Sequence, residues 1–395
     1  MRIVVIGAGV VGLATAFELR ERGHDAIVLD PNPAGGASRA AAGMLAAVTE
    51  TEWAQDALHP LMRDAAHAYP DFLARLTAAG GDAVGYRETA TLAVAVDAAD
   101  RETLTGLAVL QQQGGAVVDR MTGSRARERE PSLGPAVSAA MGIAADHQVD
   151  PRQMAASLLR ALGAGVRREQ AVRVSTDTPI GREPAHRWVH LASGDAVPAD
   201  VVIAATGLGQ VEGVPALPVR PVWGDILRLR VPEALRPLLT HTVRALVRGR
   251  SVYLVPREDG TLVVGASVRE GGVAGVQAGS VLALLRDAQT VVPGIEECEV
   301  IEMMARPRPG SPDATPLIGV VERGLIVANG FDRHGVLLAP LGARLVADLV
   351  EGRAVDPAVA AAVHPSRFHP ADVRQVLPDL TPPAVAVLDG AGMKG

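Results

Sequence analysis

The chain alternates short, β-branched apolar runs with longer segments of helical period. Arg2–Ile6 is apolar after its first residue, too short for a helix and typical of a buried parallel strand. Residues 10–22 have helical composition and stop at Gly23; 26–29 form a second β-rich run. Strand, helix, strand is therefore the expected opening, and a small-residue stretch at 39–48 follows it. Residues 58–79, 98–113 and 278–291 read as helices closed by Gly80-Gly81, Gly114-Gly115 and Pro293-Gly294, with a short charged helix at 125–130. Asp150-Pro151 supplies a cap and a first-turn proline for another helix, in which Met154, Leu158, Leu159 and Leu162 share one face. Strands are expected at 84–96, 137–144, 171–175, 199–205, 219–231, 300–304 and 325–328. Hairpins are expected at 188–197 and at 251–266, the second around Glu258-Asp259-Gly260. The last helix is expected to begin near Gly335.

With 395 residues the chain exceeds one ordinary core. The element order predicts interleaved parts. A nucleotide-binding domain takes 1–83, 150–217 and 311–369, a strand-rich substrate domain takes 84–149 and 218–310, and a Pro/Gly-rich flexible tail takes 370–395.

Chemistry enters first at the turn after Arg2–Ile6. Gly7, Gly9 and Gly12 have G-x-G-x-x-G spacing, and Asp30 ends the second strand 18 residues after Gly12. Gly7 permits the tight turn, Gly9 lets a pyrophosphate approach the helix N-terminus, and Gly12 lets helix and strand pack closely. Asp30 would accept hydrogen bonds from ribose hydroxyls. This stretch predicts dinucleotide binding and leaves NAD and FAD both open.

Composition narrows the class. Hydrophobic residues at 48% against 21% charged describe a globular protein. A net charge of −6 without a basic cluster argues against nucleic acid or an anionic membrane as the main partner. No apolar run reaches the ~20 residues of a membrane span, and a cytoplasmic location is expected. The single cysteine, Cys298, rules out an internal disulfide. No metal-ligand spacing and no Ser/His/Asp triad signature is present.

Further motifs follow in order: GAS-x-AAAGML at 36–45, DHQVDP at 146–151, ATG at 205–207, YLVPR at 253–257, RPGSPD at 308–313 and GVLLAP at 335–340. Together with the glycine fingerprint they resemble the D-amino-acid oxidase superfamily of FAD-dependent oxidoreductases, and within it the glycine oxidases of thiamine biosynthesis, over residues 1–369. Two departures stand out. Leu208-Gly209 replaces the Trp-Ser that often follows ATG, and the loop before the last helix reads Phe331-Asp332-Arg333-His334-Gly335 where relatives usually have His-Phe/Tyr-Arg-Asn-Gly.

The resemblance implies a Rossmann-like, GR2-type FAD-binding domain with an inserted antiparallel-sheet α+β substrate domain, and non-covalent FAD. Carried over by motif, Gly7, Gly9, Val10, Val11, Gly12, Asp30 and Pro31 would hold the ADP part. Ala37, Ser38, Ala42, Gly43 and Met44 would line the pyrophosphate and flavin, and Val172 would contact the adenine end through its backbone. Thr206, Gly207 and residues Gly330, Phe331, Asp332, Arg333, His334, Gly335, Val336 and Leu337 complete the cofactor set. The last helix would point its positive end at the flavin, and His334 is expected to be a solvated loop histidine.

The implied reaction passes the Cα hydrogen of a small amino acid or amine as hydride to flavin N5. It gives an imine and, with oxygen as acceptor, hydrogen peroxide. The substrate carboxylate needs a planar cation: Arg308 is the first candidate, Arg306 its competitor, and Tyr253 a second donor. Arg333 would bind flavin or substrate, through its backbone more than its side chain. Cys298 lies outside any motif for covalent flavin attachment. A homo-oligomer is expected, as is transfer of the imine to a thiamine-thiazole synthase. Alternatives are a sarcosine or D-amino-acid oxidase or dehydrogenase, a nicotinamide dehydrogenase, or a flavin-binding scaffold without turnover.

Overall fold

The computed structural model describes residues 1–176, 186–271 and 273–368; the expected tail at 370–395 lies outside them. A six-stranded sheet runs in the order Leu317–Glu322, Leu325–Asn329, Val201–Ala204, Arg2–Ile6, Asp25–Leu29, Val166–Arg167. All joins are parallel except the first, a hairpin. The unbroken apolar character of Arg2–Ile6 follows from burial on both faces. Ile3 and Val5 pack with the helices Val10–Glu21, Leu58–Ala78, Pro151–Leu162 and Ala339–Val350, whereas Val4 and Ile6 face a three-stranded sheet made by Ala171–Thr176, Arg187–Leu191 and Ala196–Ala199.

A second, eight-stranded sheet has the order Glu299–Gly310, Arg220–Arg230, Thr261–Gly265, Arg250–Pro256, Thr242–Val247, Thr91–Ala95, Ala139–Ile143, Asp119–Thr122. It is antiparallel except where Thr242–Val247 lies parallel to Thr91–Ala95. That one parallel join splices strands far apart in sequence. Ala278–Val291 covers the sheet through Leu284, Ala288 and Val291.

Three expectations are corrected. Only Thr91–Ala95 of 84–96 is a strand; before it, Arg87 makes an isolated bridge to Gln148. The strand expected at 300–304 runs from Glu299 to Gly310, through two prolines. It lies at the sheet edge, where alternate N–H groups face no neighbour and Pro307 and Pro309 cost no ladder bond. The α-helix expected to begin near Gly335 begins at Ala339; a 3₁₀ turn, Asp332–His334, precedes it. Pro340 in its first turn marks that start. Among the described residues no helix is long and apolar enough to cross a membrane.

Candidate active site

The parallel strands of the six-stranded sheet end at Gly7, Asp30 and Ala205, the edge where ligands bind in such sheets. A cavity of about 520 Å³ opens there and extends to the eight-stranded sheet. Gly7 has φ +106°, and a Cβ on it would lie 2.9 Å from the Ala205 carbonyl carbon. A Cβ on Gly12 would lie 3.1 Å from the carbonyl carbon of Gly7. The two glycines thus close the turn between strand and helix. The Asp30 carboxylate accepts from the N–H groups of Ala8 and Asn32, both at 2.7 Å, which fixes it at the strand end. The first-turn N–H of Val10 donates to Ser38 Oγ at 2.9 Å, bringing the small-residue stretch against the helix start.

That stretch continues as the cavity wall. Ala37, Ser38, Ala42, Gly43 and Met44 all line it. Gly43 has φ +75°, and a Cβ there would lie 2.7 Å from the Pro151 ring. Arg257, from YLVPR, is buried and holds the stretch in place. It donates to the carbonyl of Ala42, to Gln148 Oε1 at 2.7 Å and to the carbonyl of Val149 at 3.0 Å. Burial lowers its pKa to about 10, and it remains a cation at neutral pH.

At the far end, Asn329 Nδ2 donates to the Gly207 carbonyl at 2.8 Å and ties the ATG turn to the last strand. Thr206, Gly207, Phe331, Asp332, Arg333, Gly335 and Val336 line the wall with Gly9, Val10 and Val11. The N–H groups of Gly335, Val336 and Leu337 donate to no partner among the described residues. These free donors, rather than the α-helix terminus four residues on, supply the positive potential that the sequence reading placed near Gly335. The glycine turn, the fixed carboxylate and these donors at opposite ends of one long cavity fit an elongated dinucleotide.

Six expected cofactor residues stand off the wall. Gly12 packs on Gly7, Leu337 is in the core, and Pro31 is exposed. Gly330 turns the chain with φ +69°. The Val172 carbonyl accepts from the N–H of Glu212 at 3.0 Å, away from the cavity. His334 is 1% exposed, which corrects the expected solvated loop histidine. Arg333 Nε donates to its Nε2 at 3.1 Å, and its Nδ1 lies 3.2 Å from Glu50 Oε2.

Glu50 belongs to a cluster that sequence reasoning missed, along with Glu52, Arg244, Ser251, Ala266 and Val268, all on the cavity wall. Buried Asp146 accepts from the N–H groups of Val48 and Thr49 and from Thr49 Oγ1, and so presents segment 48–52 to the cavity. Glu50 pairs with Arg244. Burial alone would raise the Glu50 pKa, but Arg244, His334 and Arg333 outweigh it and hold the carboxyl well below the usual range. Arg333 donates to Glu52 Oε1 at 2.5 Å. Its side chain is already engaged by acids. Burial opposes its charge, but Glu50 and Glu52 raise its pKa. A charged residue inside the otherwise apolar strand Thr242–Val247 is the one sequence signal that could have located Arg244.

The eight-stranded sheet contributes Tyr253 and Arg308. Tyr253 and Arg308 both line the cavity, and the charge of Arg308 acts on the Tyr253 hydroxyl. Burial raises the phenol pKa against the opposing pull of Arg308, so the hydroxyl keeps its proton. Tyr253 lies across from Gly265, and Arg308 lies over Gly224; a Cβ on Gly224 would sit 2.7 Å from the guanidinium carbon. Gly224→Ala should therefore move Arg308 while leaving the fold intact, because only a flexible side-chain end has to yield. We expect amine turnover, as kcat/KM, to fall about 10- to 100-fold with the melting temperature nearly unchanged. A wild-type rate in this variant would show that Arg308 has no role at its present position.

Cys298 is half-buried beside the core of the second sheet, 3.6 Å from the Gly294 carbonyl, and is not on the cavity wall.

Residues 2–349 match the family model described as FAD dependent oxidoreductase. The glycine oxidase of Geobacillus kaustophilus is 33% identical over 360 residues, covering 88% of this chain and 92% of that protein. A crystal structure of glycine oxidase from this organism superposes with a TM-score of 0.82 at 32% identity, over 93% of this chain and 98% of that one. The iminodiacetate oxidase (IdaA) of Chelativorans sp. BNC1 gives a TM-score of 0.80 at 26% identity, over 92% and 99%. The bifunctional protein ThiO/ThiG of Trichormus variabilis is 30% identical over 387 residues; the match covers 93% of this chain but spans only 55% of that protein's length.

Proposed function

The chain belongs to the family of FAD dependent oxidoreductases, and from that premise we propose that it oxidises glycine and similar small amino acids at Cα to the imine. The observation that carries this reading is the Tyr253–Arg308 pair, placed on the wall of the same cavity as the small-residue stretch 40–44. Arg308 offers a planar, permanently charged fork for a carboxylate, and Tyr253 adds one hydrogen bond. Together they fix the substrate's carboxylate end and orient its Cα–H bond, which is the main catalytic demand on the protein. FAD, when bound against this wall, would supply the two-electron acceptor, with oxygen as its reoxidant. The positive charge of Arg308 and Arg306 beside the amine disfavours its ammonium form, and this helps to present the neutral amine.

Similarity to the ThiO/ThiG protein supports delivery of the imine to a thiamine-thiazole synthase. The test is anaerobic mixing of the purified holoenzyme with glycine, sarcosine and D-alanine. Bleaching of the visible flavin absorbance by glycine, followed by oxygen uptake and peroxide release on aeration, is the expected result. Bleaching by D-alanine alone would move the assignment to a D-amino-acid oxidase, and no bleaching by any amine would remove it.

A further inference from the structure

Four arginines line the cavity: Arg244, Arg306, Arg308 and Arg333. Two are matched internally, Arg244 by Glu50 and Arg333 by Glu52. Of the other acids on the wall, Asp30 is held by two backbone N–H groups at the glycine turn, and Asp332 adds its charge to Arg333. Arg306 and Arg308 therefore remain without a carboxylate partner among the described residues. Arg306 makes one hydrogen bond, from Nη1 to the Ala305 carbonyl at 2.9 Å. They are two residues apart on the edge strand Glu299–Gly310, so both side chains project from the same face, with Cα atoms about 6.6 Å apart. Gly224, the cross-strand partner of Arg306, leaves room above the strand for the Arg308 guanidinium.

Two half-buried guanidiniums on one concave wall, with their counter-charges missing, are arranged for two anionic groups. One carboxylate of a simple amino acid satisfies only Arg308. We propose that Arg306 is a specificity-determining residue that binds a second carboxylate, and that the preferred substrate is a small amine bearing two carboxylates. This rests on the amine-oxidase reading above. The second carboxylate can stand on the amine nitrogen, as in iminodiacetate, or on the side chain, as in D-aspartate. Both share the same chemistry: an amine flanked by two acids within the reach of a strand's two-residue pitch. The rival ligand for Arg306 is the cofactor. However, the phosphate-binding turn belongs to the six-stranded sheet, whereas Arg306 is on the same sheet as Tyr253 and Arg308.

The experiment compares kcat/KM for iminodiacetate, D-aspartate and glycine in the holoenzyme and in its Arg306→Gln, Arg306→Ala and Arg306→Lys variants, with flavin content and FAD dissociation followed in each. Wild type should prefer at least one dicarboxylate to glycine. The dicarboxylate-to-glycine ratio should fall roughly 10- to 100-fold in Arg306→Gln and Arg306→Ala, the scale of one charge-assisted pair, and recover in part in Arg306→Lys. The faster of the two dicarboxylates locates the second acid on nitrogen or on carbon. Glycine turnover with no dicarboxylate preference, or a ratio unmoved by the substitutions, overturns the proposal and leaves the oxidase reading standing. Weaker FAD binding with an unmoved ratio overturns it in favour of a cofactor contact. Absence of turnover with every amine removes both readings.

Discussion

Arg308→Ala holoenzyme should keep its flavin spectrum and lose most of its amine oxidation, with kcat/KM for glycine down about 100- to 1,000-fold. The magnitude is that of truncating one partner of a desolvated charge pair. On the proposed function, the reaction would depend on this contact more than on any proton transfer, because the site would orient Cα through the carboxylate. Arg308 has no acid partner in the cavity, so its removal leaves no buried carboxylate stranded and the fold should persist. The Tyr253 hydroxyl loses a neighbouring cation, which is a small cost at a half-buried position. Arg308→Lys restores the charge but not the two-pronged geometry, and should recover only part of the loss. Single-turnover bleaching at varied glycine concentration separates the two contributions: weaker binding appears as a raised half-saturation, misorientation as a lower limiting rate. A variant with wild-type kinetics would transfer the carboxylate to Arg306 or Arg244.

What the sequence made legible was local. The strand Arg2–Ile6, the turn at Gly7 and the cap at Asp150 each depend on residues within a few positions, and steric rules decide them. The Asp150 side chain does accept from the N–H groups of Arg152 and Gln153. What stayed hidden was non-local. Glu50 and Arg244 are 194 residues apart, and they meet where the segment held by Asp146 faces the strand Thr242–Val247. Neither residue carries a motif. His334 is a polar residue in a polar loop segment, yet it is buried beside Arg333, which turns inward to Glu50 and Glu52. The strand expected at 300–304 ends short of Pro307 and Pro309, both of which lie inside the observed edge strand. Proline blocks a central strand but not an edge, and edge position is a property of the whole sheet. Residues 305–310, which carry Arg306 and Arg308, belong to this edge strand.

Glu50→Gln should be the most destabilising single substitution at the site, by about 3 kcal/mol at neutral pH, the low end for breaking a buried ion pair. It removes the negative charge facing Arg244, His334 and Arg333 while keeping a side chain of the same size. The pH dependence has a definite sign. Burial disfavours the charged carboxyl, but the three cationic or hydrogen-bonding partners overcome this, so the folded-state pKa lies below the unfolded value of about 4.3. Stability from this group is then fully present above about pH 4.3 and is lost as the pH falls through the folded pKa. The gap between wild type and Glu50→Gln, measured by urea denaturation, should be flat from pH 7 to about 5 and narrow below about pH 4. A gap that widens on acidification would mean that Glu50 is protonated in the folded protein. The same substitution reaches the cofactor. Arg333 also donates to the Glu50 carbonyl at 3.4 Å and bonds His334, and both residues hold the turn that presents the free N–H groups of 335–337 to the cavity. Loosening that turn should raise the FAD dissociation constant together with the loss of stability. Saturating FAD would then restore part of the denaturation midpoint in the variant, because a ligand that binds only the folded state stabilises it in proportion to the logarithm of its concentration.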